Sequence, residues 1–277
     1  MHLSKDVQAL RENRCGMMDC KKAHASDGVW KAVEFLREKG LAAAEKKAGR
    51  IAAEGIVYAT VENGVGVVVE VNSETDFVAK NEKFVEFVAD VAKTVIACNP
   101  ADVEALGECK IPGTEQTVVE ALREKILTIG ENMKIRRFAR MEGDLVTYIH
   151  GGGRIGVMVK FEASPEVAGK DEFVAMGKDV AMQIAAISPE FLSKESIPAD
   201  RVEKEKEILK VQAMNEGKPA NIAEKMVMGR LNKFYKETCL LEQPFVKDGD
   251  ISVAKYIENT AKALGGSIKA VDFVRFE

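Results

Sequence analysis

The feature that most restricts how this chain can fold is an internal repeat with a period of about ninety residues. Tyr58, Gly66, Val67 and Val69 recur as Tyr148, Gly156, Val157 and Val159. In the first copy Asn63-Gly64 leads into Gly66-Val67-Val68-Val69-Glu70-Val71. In the second, Gly151-Gly152-Gly153 leads into Gly156-Val157-Met158-Val159-Lys160-Phe161. A turn dipeptide or glycine run followed by β-branched residues predicts the second strand of a hairpin. Helical spacing follows in both copies, at Phe84, Val88, Val91 and Val95 and at Phe173, Val180, Ile184 and Ile187. Each helix is expected to stop before a proline, Pro100 or Pro189. The pattern implies an α+β chain with two related core subdomains, each an antiparallel sheet with one face buried under a helix.

The rest of the chain has different textures. Residues 1–50 read as a small domain of three short helices, with Asp19 as an N-cap and Gly40 as the C-cap of a helix carrying Val29, Val33 and Leu36. Leu41 to Ala53 reads as a helical linker. Val118, Leu122, Ile126 and Ile129 mark a helix, and Met133 to Met141 a strand. After Pro198, a Lys- and Glu-rich helix with Val202, Ile208, Leu209 and Val211 as its apolar stripe meets Gly217-Lys218-Pro219. A second amphipathic helix through Ile222, Met226, Leu231 and Phe234 completes an antiparallel helical hairpin. Val253 to Leu264 is a last helix and Ser267 to Phe276 a last strand. The expected division is 1–50, 51–140 and 141–277, with 198–236 inserted as the hairpin.

Composition excludes several function classes. The formal net charge is −4, whereas a protein bound to nucleic acid usually carries a basic excess. Five cysteines at 15, 20, 98, 109 and 239 contain no Cys-x-x-Cys pair, which disfavours a disulfide framework or a zinc site and suits a reducing cytoplasm. No apolar run is long enough to span a membrane, and the first residues lack a secretory signal. No metal or cofactor is expected. The hairpin's apolar stripe leaves a homodimer open.

Two segments compete for attention as sites. His150-Gly151-Gly152-Gly153-Arg154-Ile155-Gly156 satisfies a dinucleotide-binding spacing, and an enzyme holding a phosphorylated ligand in this turn is the alternative function. That fingerprint must open a helix, however, and here a strand pattern follows, so a hairpin turn is expected. Thr75-Asp76-Phe77-Val78 lies between a strand and a helix. Asp76 as an N-cap with Phe77 in the core is one reading. A partner-facing aromatic on a rigid loop is the other. Met17-Met18 poses the same choice, because neighbouring residues cannot share one helix face. The basic groups Lys46, Lys47 and Arg50 and Arg136, Arg137 and Arg140 read as solvated faces.

The order of short motifs then resembles one family. Leu10-Arg11-Glu12 with Gly16-Met17-Met18-Asp19-Cys20-Lys21-Lys22-Ala23 is similar to the opening signature of the elongation factor Ts family. Glu70-Val71-Asn72 with Thr75-Asp76-Phe77-Val78-Ala79-Lys80 is similar to its second signature. Ile129-Gly130-Glu131-Asn132, His150-Gly151 with Arg154-Ile155-Gly156, Ala223-Glu224-Lys225-Met226 and Gln243-Pro244-Phe245-Val246 follow in family order. Arg14-Cys15-Gly16 is one residue shorter than the family's usual run, and His24 replaces a usual leucine.

The resemblance implies a ubiquitin-associated-like (UBA-like) N-terminal domain, two core subdomains and an inserted coiled-coil hairpin. It also implies a cytoplasmic guanine nucleotide exchange factor for elongation factor Tu, with no bond chemistry of its own. The partner would be met both GDP-bound and nucleotide-free, without direct contact to nucleic acid or membrane. Thr75, Asp76, Phe77 and Val78 would dislodge magnesium in the partner. Arg11, Met17, Met18 and Lys21 would dock the N-terminal domain, and Ile129, Gly130 and His150 would form the core contact.

Overall fold

The computed structural model describes residues 29–277. Among the described residues the chain separates by contact into two compact units, one of residues 29–141, 149–156 and 276–277, the other of residues 142–148 and 157–275. Residues 1–28 of the expected three-helix domain, with the expected docking residues Arg11, Met17, Met18 and Lys21 among them, lie outside the described residues.

Helix α1 (Val29–Lys47) opens the described chain. It runs through Gly40 rather than ending there: Gly40 is buried, and a side chain on it would meet Arg123. Its missing side chain allows close packing, while the Ala- and Lys-rich stretch beyond has the composition to continue a helix. Strands β1 (Glu54–Glu62) and β2 (Val65–Ser73) pair antiparallel from Glu54 opposite Ser73 to Glu62 opposite Val65. Asn63 and Gly64, at φ 51° and 75°, form the two-residue turn between them. Two helices follow, α2 (Asp76–Ala79) and α3 (Glu82–Cys98). Then come α4 (Val103–Glu108), α5 (Val118–Ile129) and β3 (Met133–Glu142), which joins the sheet in the order β1-β2-β3.

The second copy has the same order, without a counterpart of α4. It comprises β4 (Asp144–His150), β5 (Ile155–Ala163), α6 (Pro165–Ala168) and α7 (Asp171–Ile187). After an insertion come α10 (Val253–Leu264) and β8 (Ile268–Phe276), giving the sheet order β4-β5-β8. The long helices α3 and α7 both have 17 residues, and α5 and α10 both have 12. Both 12-residue helices end at a left-handed glycine, Gly130 or Gly265. Each third strand sends an arginine back to the end of its long helix. Arg140 donates to the Ile96 carbonyl at 3.4 Å and Arg275 to the Ala185 carbonyl at 3.3 Å. Arg140 is thus an anchor to a helix terminus, not a solvated cation. The repeat therefore extends beyond hairpin and helix to a second helix and a third strand.

Inserted in the second copy is a pair of helices, α8 (Ala199–Asn215) and α9 (Ala220–Thr238), packed on each other. The seam is narrower than the expected stripe: Leu209, Ala213, Ala223 and Leu231 are buried, while Ile208, Val211 and Ile222 are exposed. Small residues bring the two helices close, and a stripe as wide as the one expected exceeds what one neighbour can cover. A short ribbon of β6 (Pro244–Phe245) and β7 (Asp248–Ser252) returns the chain to α10.

The core of the first unit is continuous from β2 to α3 and α5. Val67, Val69 and Val71 face Phe84, Val88, Val91, Leu106, Val118 and Ile126 in one cluster. The other face of β2 is covered as well, since Val68 is fully buried and Glu70 nearly so. Val57 and Val68 on that face lie against Gly156. In the second unit the buried amides of Gln183 and Gln243 hold each other at 3.2 Å. Gln183 also donates to the Pro244 carbonyl and accepts from the Val246 amide. That pairing explains the 243–246 motif as a structural clamp on the ribbon.

Candidate functional site

The segment Thr75–Val78 leaves the end of β2 and opens α2. Thr75, not Asp76, is the N-cap: its backbone is extended (φ −126°, ψ 155°) and its hydroxyl accepts from the Val78 amide. Asp76 is the first helical residue, where a carboxylate also suits the helix dipole. Lys80 donates to Asp76 at 3.0 Å, one turn on, and this hydrogen bond holds the Asp76 carboxyl below its usual range.

This geometry splits Phe77 from Val78. The Phe77 ring is 82% exposed, so the reading that places it in the core fails. Val78 and Ala79 are buried and belong to the cluster around α3. An exposed phenylalanine beside two anchored neighbours is a displayed side chain, not a frayed one. A short helix has only one inward face, and Val78 and Ala79 occupy it.

The loop is fixed by carboxylates. The amides of Glu74 and Thr75 both donate to one oxygen of Glu131 at 3.1 Å, and the Thr75 hydroxyl donates to the other at 2.7 Å. In return the Asn132 amide donates to Glu74 at 2.6 Å. Arg50 pairs with Glu74 at 3.6 Å, and its carbonyl accepts from the Asn132 side chain at 2.7 Å. The structure therefore joins Thr75–Val78 to the corner at Ile129 and Gly130, where Gly130 ends α5 at φ 92°. Arg50 belongs to this network rather than to a solvated face. Glu74 and Glu131 carried no periodic signal, so reading the sequence for stripes and motifs did not assign them a task.

His150 sits elsewhere in the same unit, exposed at the end of β4. Its carbonyl accepts the Gly153 and Arg154 amides at 3.2 and 3.1 Å, closing a turn. Gly151, Gly152 and Gly153 all have positive φ (59°, 67° and 103°), which side chains rarely tolerate. A four-residue link between adjacent strands makes β4 and β5 antiparallel. The glycines open a strand, not a helix, so the phosphate-cradle alternative is overturned. Among the described residues no cluster of three or more His, Cys, Asp or Glu could hold a metal ion.

The sequence pattern described as "Elongation factor TS" matches residues 74–277, beginning at the clamped loop itself.

The chain belongs to the elongation factor Ts family.

It is 52% identical to the elongation factor Ts of Clostridium botulinum (strain Eklund 17B / Type B) over 282 aligned residues, covering 99% of this chain and 92% of that protein. Identity to the Clostridium perfringens (strain 13 / Type A) protein of the same name is 53%, covering 100% and 93% of the two chains. The Syntrophotalea carbinolica protein is 49% identical, covering 98% and 91%. Elongation factor Ts is the nucleotide exchange factor of elongation factor Tu. No helix among the described residues is long and apolar enough to cross a membrane.

Proposed function

We propose that Thr75–Val78 is the element with which this exchange factor dislodges magnesium from elongation factor Tu. The observation that carries the reading is Phe77, an 82%-exposed ring on a backbone held by hydrogen bonds at both ends. A rigid aromatic loses little freedom on insertion, so more of its contact energy remains for displacing neighbouring groups. The ion is the largest local charge near the bound phosphates, and moving it weakens GDP binding. The protein binds nucleotide-free elongation factor Tu best, and linkage requires that it weaken nucleotide binding by the same factor. It makes and breaks no covalent bond. It meets the GDP-bound form first, and incoming GTP releases it.

In this reading residues 1–50 form a UBA-like domain that docks through Arg11, Met17, Met18 and Lys21. Residues 51–140 and 141–277 are the two core subdomains, and 198–236 is a coiled-coil insertion. Ile129, Gly130 and His150 complete the contact, in the cytoplasm, with no nucleic acid or membrane involved. The test is release of fluorescent GDP from elongation factor Tu, followed with and without this protein across a magnesium titration. Acceleration that shrinks as magnesium rises supports displacement of the ion. Acceleration independent of magnesium would refute it.

A further inference from the structure

Resting on the wedge reading of Phe77, we infer that Glu131 is the positioning residue that sets the wedge before the partner arrives. Glu131 acts on the wedge through Thr75 and Glu74, whose amides and hydroxyl donate to it. Its two carboxylate oxygens accept three hydrogen bonds, from two consecutive amides and one hydroxyl. Such charge-assisted bonds are stronger than neutral ones, and three converging on one planar group fix direction as well as distance.

The Thr75 hydroxyl transmits this constraint. It has one proton, and a 2.7 Å contact with a carboxylate assigns that proton to Glu131. Its lone pairs are then left for the Val78 amide, at 3.4 Å. Glu131 thereby selects the hydroxyl orientation in which Thr75 caps the turn that carries Phe77. The Ser73 hydroxyl, on a fully buried residue, adds a bond to the Thr75 carbonyl at 3.1 Å. Glu74 answers by accepting the Asn132 amide, so the two loops are strapped in both directions.

The consequence is functional rather than merely local. Glu131 follows Gly130 directly, so the strap makes the Phe77 loop and the Ile129–Gly130 corner one preformed surface. A partner that meets both then pays no ordering entropy for either loop. A glutamine at 131 keeps the shape but turns one acceptor into a donor, so it cannot accept from both the hydroxyl and the amides.

The experiment combines amide hydrogen exchange of the free protein with GDP release at saturating protein, for Glu131→Gln, Glu131→Ala, Phe77→Ala and the double variant Glu131→Ala/Phe77→Ala. Exchange is expected to quicken at the amides of 74–78 in both Glu131 variants, with α3 and β2 unchanged. Maximal release is expected to fall by about tenfold in Glu131→Ala, with a smaller change in half-saturating concentration. In the Phe77→Ala background the Glu131 change is expected to have no further effect, because a positioning residue has nothing left to position. Glu131→Ala with wild-type release beside a slow Phe77→Ala overturns this inference alone, as does full additivity in the double variant. Unimpaired release by Phe77→Ala sinks the wedge reading and this inference with it. Unchanged exchange at 74–78 in a folded Glu131→Gln protein also overturns the positioning role, whatever the release rates.

Discussion

Arg137 donates through Nε to the Glu70 carboxylate at 2.6 Å, from a position 40% exposed to a side chain only 5% exposed. Arg136 donates to the other oxygen at 2.8 Å and Asn72 to that same oxygen at 3.3 Å. Burial alone would raise the Glu70 pKa, but the hydrogen bonds from Arg136, Arg137 and Asn72 outweigh it and the net shift is downward. The folded pKa is therefore below the unfolded one, near 4.3. Its contribution to stability is present above that value and is lost as pH falls through the lowered folded pKa. Glu70→Gln is expected to cost roughly 1–3 kcal/mol at neutral pH, screened in part by the exposure of both arginines. The difference from wild type should narrow as pH falls below about 4, which urea denaturation at pH 7 and at about pH 3 measures. A gap that stays constant with pH would show that the pair is not the source.

Phe77→Ala separates display from packing. With the ring 82% exposed, its loss is expected to change unfolding stability by no more than about 0.5 kcal/mol. GDP release from elongation factor Tu should slow roughly tenfold or more, as for a central aromatic contact. Val78→Ala is the contrast: Val78 is buried in the core, so about 1–2 kcal/mol of stability should go. Thermal melts and stopped-flow release on the same preparations decide both, and a large drop in melting temperature for Phe77→Ala would contradict its display.

Gly177→Ala should destabilise, against the usual gain from placing alanine in a helix. Gly177 is buried in α7, and a methyl group there would overlap Val146 of β4. The propensity gain of about 1 kcal/mol is opposed by an overpacking cost of about 1–3 kcal/mol. Adding Val146→Ala should recover part of the loss. A double variant less stable than the sum of its parts would show that the overlap is not the cause.

The hairpin should be separable. The Glu190 and Phe191 amides both donate to the Thr238 carbonyl, and Leu240 donates back to Phe191, so the chain leaves and returns at neighbouring positions. Replacing residues 199–236 with a short linker should leave a single cooperative melt. Loss of cooperativity would place the hairpin within the core.

Much of this organisation was legible in the sequence, for identifiable reasons. Helices at Val118–Ile129 and Val253–Leu264 have apolar residues at helical spacing and clear terminal glycines. The turns at Asn63-Gly64 and Gly151–Gly153 were readable because few other residues adopt those backbone angles. Gly40 misled because a glycine serves equally as a helix end and as a site of close approach. Asp76 misled because the hydroxyl one residue earlier was the better-placed cap. Residues Arg11, Met17, Met18 and Lys21, legible as a motif, keep their roles as proposals.

By itself the sequence determined the family, the two-copy plan and the position of Thr75–Val78 between strand and helix, because periodicity and turn chemistry are local. The tertiary structure alone decided that Phe77 is displayed while Val78 is buried, since one short turn can present either residue and only its packing on α3 chooses. It also decided the partners of Glu70 and Glu131. Arg136 and Arg137 lie more than sixty residues from Glu70, and Glu131 lies more than fifty from Thr75. A carboxylate looks the same in sequence whether water or a folded loop supplies its hydrogen bonds; only the chain's return to the same place makes it a strap.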